Sequence, residues 1–405
     1  MYETLFELFV YLSIYSQAMK ISLRLIALCL LACACSRNSS ETIPIISWGG
    51  IPADNADTFY SLARECGFDH HLGLYRAHES VMKSMDAAAR QGIRVIISHP
   101  HLKDSTEKVV SALKNHPALY AYHVKDEPEV SDFQWLNDVV EKIRTLDPDH
   151  QSYINLYPNW AWGEEEYSNH IEDFASQIDI PIYSFDHYPV TESDGQINIR
   201  PQWYRNLEEF SAMARKHGRP FWAFALTASH RIGPPSPPAF YPVPTIGQIR
   251  LQVFSNLLYG AQGIQYFTYA GLVDSKTCQK TLVYDIIRQV NAEIKAYSPV
   301  FYGCEVLGVW HMGDPIPSHT QPLDAMPHES VKSLKVSGDG AVVSLLRNGR
   351  KTYLAVQNRD CENPAMLEAM FSKKVLQILP ESKPKVCKNA SESLVSGGVA
   401  IFLLK

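Results

Sequence analysis

Short apolar runs and longer amphipathic stretches alternate along residues 44–297 of this chain. The runs are rich in β-branched and aromatic residues, which is typical of buried strands. In one stretch between them, Leu136, Val139, Val140 and Ile143 recur at helical spacing and predict a helix with one buried face. The predicted strands are residues 44–48, 69–75, 94–98, 119–124, 151–156, 181–185, 221–226 and 263–269.

The order of these elements predicts an α/β protein. Eight strands and eight helices within about 250 residues are typical of a (β/α)8 TIM barrel, which we assign to residues 43–299. A doubly wound open sheet is the alternative, but Trp48 is followed by Gly-Gly-Ile-Pro, which does not fit a phosphate-binding loop. The predicted helices are residues 53–66, 80–91, 104–115, 132–146, 164–177, 203–217, 245–261 and 277–297.

The pattern changes after Pro299, where long helical stretches give way to short alternating segments. Alternation with a period of two predicts antiparallel strands, and glycine-containing turns at residues 338–340 and 348–349 separate some of them. We therefore predict a small C-terminal antiparallel β domain, sandwich-like, over residues 300–405. Its predicted strands are residues 306–310, 331–337, 341–346, 352–357, 374–378 and 400–404.

The N-terminus has the pattern of an export signal. Residues 1–18 carry no basic residue and are interpreted as an upstream mis-start, with the functional chain beginning at Met19. Residues 19–42 then read as a basic segment, a short apolar run, small residues and a polar linker. The sequence Leu30-Leu31-Ala32-Cys33 resembles a bacterial lipobox, which implies lipidation at Cys33. We expect an exported cell-envelope lipoprotein that meets the membrane only through this anchor, because the apolar run is too short to span it.

Composition narrows the class of partner. The formal net charge is -6 and the basic residues are scattered, so a nucleic acid partner is not expected. The cysteines lack metal-ligand spacing, and no cofactor motif was found, so neither a metal nor a cofactor is predicted. The 21 Tyr and 7 Trp residues suit stacking against sugar rings, although aromatic residues also fill cores.

The richest candidate chemistry lies at the end of the fourth predicted strand, in Ala121-Tyr-His-Val-Lys-Asp-Glu-Pro128. Functional residues of TIM barrels lie at the carboxyl ends of the strands. The strand end resembles that of clan A glycoside hydrolases, which carry Asn-Glu there, and Tyr259-Gly-Ala-Gln-Gly-Ile-Gln-Tyr-Phe267 adds to the likeness over the barrel. The resemblance implies a glycosidase that acts on a carbohydrate substrate, with Glu127 as its general acid.

Two departures from the clan pattern stand out. Asp126 replaces the clan's Asn, so a carboxylate lies where a neutral amide would bind a sugar hydroxyl, and its charge should help keep Glu127 protonated. The second departure is the absence of any Asp or Glu between Phe210 and Val273. The usual nucleophile on strand seven is therefore missing.

Asp186, at the end of the sixth predicted strand, is the next candidate for the partner carboxylate. It could activate water, act as nucleophile or orient a substrate acetamide group. Because strands four and six are not neighbours, we expect the carboxyl groups of Glu127 and Asp186 to face each other with room for water, which favours inversion. Alternatively, Asp186 and His187 only anchor a loop.

Further candidate binding residues lie at the predicted strand ends. Aromatic rings there would form stacking platforms for sugars, whereas the polar side chains would bind hydroxyl groups. The candidates for substrate binding, besides Asp126, are Trp48, His99, Asn155, Tyr157, His187, Tyr188, Trp222, His230, Tyr266 and Tyr269.

Two other functions remain open. A non-catalytic glycan-binding barrel would explain the missing nucleophile while keeping acids that bind sugar hydroxyls. A metal-dependent barrel hydrolase could use His99, His101, Asp186 and His230, but the usual His-x-His of such enzymes lies on strand one rather than strand three.

Overall fold

The computed structural model of the chain describes residues 42–232 and 239–404. The predicted signal, including Cys33, lies outside this part. None of the helices within the described ranges combines the length and the apolar character needed to cross a membrane.

Eight parallel strands form the central sheet, with each strand bonded to its neighbours in a continuous path. A parallel bridge between Leu156 and Phe185 joins the two ends of that path and closes the barrel. The predicted (β/α)8 fold is therefore confirmed. The strands are β1 Ile45–Trp48, β2 His70–Leu74, β3 Arg94–Ser98, β4 Leu119–Asp126, β5 Gln151–Asn155, β6 Tyr183–Phe185, β7 Phe221–Leu226 and β8 Ile264–Phe267.

One long helix follows each barrel strand. In the fourth of them, Leu136, Val139, Val140 and Ile143 are all buried, as their spacing predicts. This apolar stripe packs against the outside of the barrel, which leaves the polar face in water. The helices are α1 Ala56–Glu65, α2 His78–Arg90, α3 Thr106–Leu113, α4 Phe133–Leu146, α5 Glu164–Gln177, α6 Trp203–Lys216, α7 Ile246–Leu258 and α8 Leu282–Phe301.

The C-terminal region forms the predicted antiparallel sheet, with its own apolar core. The strand at Ala365–Ile378 is longer than the predicted segment, and the mostly polar strand at Lys385–Leu394 was not predicted. Its exposed position explains the lack of an apolar signal. The strands are Glu305–Met312, Val331–Val336, Ala341–Asn348, Lys351–Asn358, Ala365–Ile378, Lys385–Leu394 and Val399–Leu403.

The C-terminal sheet packs on α7, which is buried on almost every side. Gln357 of the sheet is fully buried, accepts a hydrogen bond from Ser255 Oγ at 2.9 Å and donates to the carbonyl oxygen of Leu251 at 3.0 Å. These bonds satisfy polar groups that would otherwise be buried without partners.

A second small sheet lies on the loops after β6 and β7. It consists of the strands Val190–Ser193, Gln196–Ile199, His230–Ile232 and Ala239–Tyr241, which were not predicted. Asp194 and Gly195 both have positive φ in the turn between the first two strands, which suits the tight hairpin turns of antiparallel ribbons. This sheet brings His230 and Tyr241 to the carboxyl end of the barrel.

Candidate active site

A cavity of about 270 Å³ opens at the carboxyl end of the barrel strands, where TIM-barrel active sites lie. We call it the mouth cavity. A larger cavity, of about 570 Å³, includes Pro44, Pro220 and Trp222 from the opposite end, and is therefore a weaker candidate for catalysis. The mouth cavity is lined by Trp48, Asp126, Glu127, Asn155, Trp160, Asp186, Tyr188, Phe224, His230, Tyr241 and Phe267.

Glu127 immediately follows β4 and has a strained backbone. Its φ of 47° lies in the left-handed region, which is uncommon for a residue other than glycine. Its N–H group donates to the carbonyl oxygen of Asn155 at 2.8 Å, so the pairing of β4 with β5 continues one residue beyond β4. Such conformations persist only where the surroundings hold them, and they concentrate at functional sites.

Asn155, the last residue of β5, joins two of the carboxylates. Its Nδ2 group lies 2.8 Å from Asp186 Oδ1 and 3.2 Å from Asp126 Oδ1. Its Oδ1 atom accepts a hydrogen bond from Ser184 Oγ at 2.8 Å. All the hydrogen-bonding groups of this side chain are thus directed to protein partners within the site.

The side chains of Glu127 and Asp186 hydrogen-bond to each other, which requires a proton between the two carboxyl groups. The predicted separation with room for water is therefore wrong for this structure. In the closed barrel, β5 is the only strand between β4 and β6. The carboxyl ends of β4 and β6 therefore approach each other, with Asn155 at the end of β5 between them.

Burial and the neighbouring carboxylate charges raise the pKa of both carboxyl groups. Partial burial, together with the adjacent charge of Asp126, raises the pKa of Glu127 to about 7. Burial and the charges of Glu127 and Asp126 raise the pKa of Asp186 well above its ordinary value, although the hydrogen bond from Asn155 acts in the opposite direction. The two groups interact, so their proton losses belong to the pair rather than to either residue alone.

Seven of the candidates from the sequence line the mouth cavity together: Trp48, Asp126, Glu127, Asn155, Asp186, Tyr188 and His230. Tyr157 lies near them, and burial together with the charge of Glu127 raises its pKa, but its hydroxyl bonds to Glu129 and its ring contacts Trp162. Tyr157 therefore lies beside the cavity rather than in its lining.

His187 and His99 occupy other places. His187 is buried against α6, where its Nδ1 atom lies 2.9 Å from Asn206 Oδ1. This residue anchors the loop after β6, whereas the neighbouring Asp186 faces the cavity. His99 lies in a separate groove, with its Nε2 atom 3.3 Å from His78 Nδ1.

Three aromatic candidates also lie outside the mouth cavity. Tyr266 is fully buried on the helix side of β8, against Phe68, because alternate residues of a barrel strand face opposite sides. Tyr269 lies beyond β8 and donates a hydrogen bond to the carbonyl oxygen of Phe59. Trp222 faces the barrel interior but lies near the start of β7, where its ring stacks on Tyr120.

Four cavity residues were not predicted: Trp160, Phe224, Tyr241 and Phe267. The alternation of side chains between the two faces of a strand could have identified two of them. Phe224 lies two residues after Trp222 on the same face of β7, and Phe267 alternates with Tyr266 on β8. Tyr241 reaches the cavity through the unpredicted small sheet, so no local pattern pointed to it.

The residues of the metal-dependent alternative do not form one site. His99 and His101 line the separate groove with His78, whereas Asp186 and His230 line the mouth cavity. Among residues 42–232 and 239–404, no three His, Cys, Asp or Glu side chains are grouped so that they could hold a metal ion.

A family comparison adds to this geometry. Residues 133–305, less than half of the chain, match the model of glycoside hydrolase family 42, which is described as beta-galactosidase. The barrel is of the glycoside hydrolase type. The matched part of this glycosidase barrel contains Asn155 and Asp186 but begins after Glu127. None of the curated proteins matches the chain significantly.

Solved glycosidases are among the structures to which the chain is similar, at low levels of similarity. The alpha-fucosidase of Thermotoga maritima is 9% identical, with a TM-score of 0.44, over 86% of this chain and 79% of that chain. The beta-glycosidase BGL167 is 12% identical, with a TM-score of 0.42, over 62% of this chain and 88% of that chain. No inference about the substrate follows from scores this low.

Proposed function

We propose that this glycosidase barrel hydrolyses a glycosidic bond with Glu127 as general acid and Asp186 as the partner carboxylate. The observation that carries the proposal is the direct contact of these two carboxyl groups in a cavity at the carboxyl end of the barrel. A pair that holds one proton supplies both an acid and a carboxylate, as the reaction requires.

Asp186 is best suited to act as the nucleophile. Inverting glycosidases need room for a water molecule between their carboxyl groups, whereas the carboxyl groups of retaining enzymes lie closer together. Glu127 would protonate the leaving oxygen while Asp186 attacks the anomeric carbon and the glycosidic bond breaks. Glu127, now a carboxylate, would then deprotonate the water that displaces Asp186 and releases the sugar.

The lining of the cavity suits a carbohydrate. Trp48, Tyr188 and Phe224 provide rings that a sugar can contact, and Asp126 adds a carboxylate that can accept hydrogen bonds from hydroxyl groups. Asp126 is exposed to solvent, so a bound sugar can reach it.

The test is a panel of 4-nitrophenyl glycosides given to the purified protein and to its Glu127→Gln variant. The panel starts with the β-galactoside because of the matched family model, and adds α-fucoside, β-glucoside and 2-acetamido-β-glucoside. Hydrolysis of at least one member by the wild type is expected. Binding of glycans without hydrolysis would instead favour the non-catalytic barrel.

The pH dependence of kcat/KM should follow the carboxyl pair. The active form holds one proton, so kcat/KM should rise as the pH increases through about 7, where the pair loses its first proton, and fall at higher pH with loss of the second. Asp126→Asn removes a charge that raises the pKa of Glu127 and of Asp186. The rise and the fall of kcat/KM should therefore both move to lower pH. Asp138→Asn, on the exposed side of α4, is the matched control and should move neither.

We also propose that the functional chain starts at Met19 and carries a lipid at Cys33. The support is the signal pattern of residues 19–36 alone. Expressed in a bacterium, the wild type should partition into the detergent phase of a Triton X-114 extraction, and Cys33→Ser should not. Cys35→Ser is the matched control and should partition like the wild type. Mass spectrometry that finds an unmodified mature chain starting elsewhere would contradict the proposal.

A further inference from the structure

Another cavity, of about 490 Å³, lies between the start of α6 and the C-terminal sheet. Two arginines from different parts of the fold line it, and we call it the arginine cavity. Arg200 follows the small-sheet strand Gln196–Ile199, and Arg359 follows the C-terminal strand Lys351–Asn358. The fold thus brings two cations that are distant in the sequence to one cavity.

The guanidinium of Arg359 is half-buried and is bound to neutral groups. Its Nη2 atom donates to the carbonyl oxygen of Pro315 at 3.1 Å and to that of Asp339. Its Nε atom is buried and has no hydrogen-bond partner in the part of the chain that the structure describes. Burial lowers the pKa of Arg359, and the nearby charge of Asp339 does not offset this effect. The positive charge is therefore incompletely compensated.

Arg200 lies between the arginine cavity and the mouth cavity. Its guanidinium carbon is 4.9 Å from the centroid of the Trp160 ring, and its Nη2 atom donates to the hydroxyl of Tyr241 at 3.2 Å. Both Trp160 and Tyr241 line the mouth cavity. Aromatic rings attract a cation without neutralising its charge. A second guanidinium group is therefore held beside the proposed sugar site by uncharged neighbours.

Another poorly exposed arginine shows the usual arrangement. Arg250 donates from Nε to Glu293 Oε2 at 3.0 Å, and both side chains are mostly buried. Among residues 42–232 and 239–404, neither Arg200 nor Arg359 forms an ion pair, and the Nε atoms of both lack a partner. A buried charge costs free energy unless it is paired, and the fork of a guanidinium matches a carboxylate. An anion in the arginine cavity would supply the missing partner.

The rest of the lining suits a sugar better than a lone inorganic ion, which needs far less room. Ser318 can donate to a sugar hydroxyl, and Ile316 and Pro317 add apolar surface for the face of a ring. Asp314 and Asp339 also line the cavity, but both are exposed, so water weakens their repulsion of an anion. Their oxygens can accept hydrogen bonds from hydroxyl groups.

We propose that the arginine cavity binds an acidic sugar, with its carboxylate between Arg200 and Arg359. The proposal rests on the proposed function for the choice of a sugar, since Arg200 adjoins the cavity in which a glycan would be cleaved. The binding itself can be measured without any hydrolysis.

The test is a titration followed by NMR of the arginine side chains. Buried Nε–H groups exchange slowly with water, so those of Arg200 and Arg359 should be visible near neutral pH and can be assigned by their loss in Arg200→Lys and Arg359→Lys. Glucuronate or galacturonate, added at constant ionic strength, should shift both resonances along one saturating curve. Glucose and galactose, which lack the carboxylate, should shift neither.

Replacing either arginine with Gln should weaken uronate binding on the order of 10-fold, measured on the resonance of the arginine that remains. Arg350→Gln is the matched control, because Arg350 is exposed in a turn of the same C-terminal sheet, and it should leave the affinity unchanged. Arg200 bonds to side chains rather than to the backbone, so Arg200→Gln still tests the proposal if Arg359→Gln does not fold.

Several results would overturn the proposal. The carboxylate site does not exist if neither uronate shifts the two resonances, or if the neutral sugars shift them equally. A shift of Arg200 alone would place the uronate in the mouth cavity, and sodium sulfate that binds as tightly as the uronates would indicate a site for inorganic anions. If no glycoside is hydrolysed, the proposed function fails, while the titration still decides what the arginine cavity binds.

Discussion

Replacing Glu127 with Gln should lower kcat at least on the order of 100-fold on natural glycans, because their leaving oxygen needs a proton in the transition state. Aryl glycosides with good leaving groups should lose much less, since the departing phenolate needs no proton. The side chain lines the mouth cavity and has almost the same shape after substitution, so the fold should be unaffected. Steady-state rates on a series of aryl leaving groups would measure the difference.

Glu129→Gln is the matched control for this prediction. Glu129 lies two residues further along, is exposed and is not part of the cavity lining. Glu129→Gln should hydrolyse natural glycans and aryl glycosides with kcat values within a few-fold of those of the wild type. Equal losses on good and poor leaving groups in Glu127→Gln would show that this residue binds the substrate rather than donating a proton.

Replacing Asp186 with Gly should lower kcat at least on the order of 1,000-fold, because the variant lacks the group that attacks the anomeric carbon. Added azide should restore turnover and be incorporated into the product as a glycosyl azide, since the small anion fits the space of the missing side chain. In the wild type, proton NMR of the first product should show a retained anomeric configuration.

Asp194→Asn is the matched control for Asp186. Asp194 is an exposed carboxylate on the hairpin after β6, and Asn accepts its positive φ equally well, so activity should not change. An inverted product would mean that Asp186 activates water instead of attacking. Full activity of Asp186→Gly would remove Asp186 from the mechanism and require a different partner for Glu127.

The separation of the two carboxyl groups shows where reasoning from strand order is insufficient. Strands four and six are not neighbours, and from this alone a gap across the barrel mouth was expected. In the structure, β5 is the only strand between them, and Asn155 at its end fills the gap with a short side chain that bonds to Asp126 and Asp186. Side-chain reach at the carboxyl ends of the strands, rather than strand order, decides the contact.

The aromatic candidates show a related limit. Tyr266 and Phe267 are adjacent on β8, but Tyr266 packs against the helices and Phe267 lines the cavity. A shift of one residue moves a side chain to the other face of the sheet, so the side chains that line a cavity depend on register. The runs that enclose these residues are apolar on both faces, which removes the alternation that would have indicated the register.

The sequence by itself determined the eightfold alternation of strands and helices, the change to antiparallel strands after the barrel, and the position of Glu127 and Asp186 at strand ends. These are local properties, because hydrophobic periodicity and strand boundaries depend on residues close together in the chain. Only the tertiary structure decided that the two carboxyl groups lie in contact and that Asn155 is held between Asp126 and Asp186 by Ser184. Those contacts join residues about 30 positions or more apart, and they form only when the closed barrel sets the register of β4, β5 and β6.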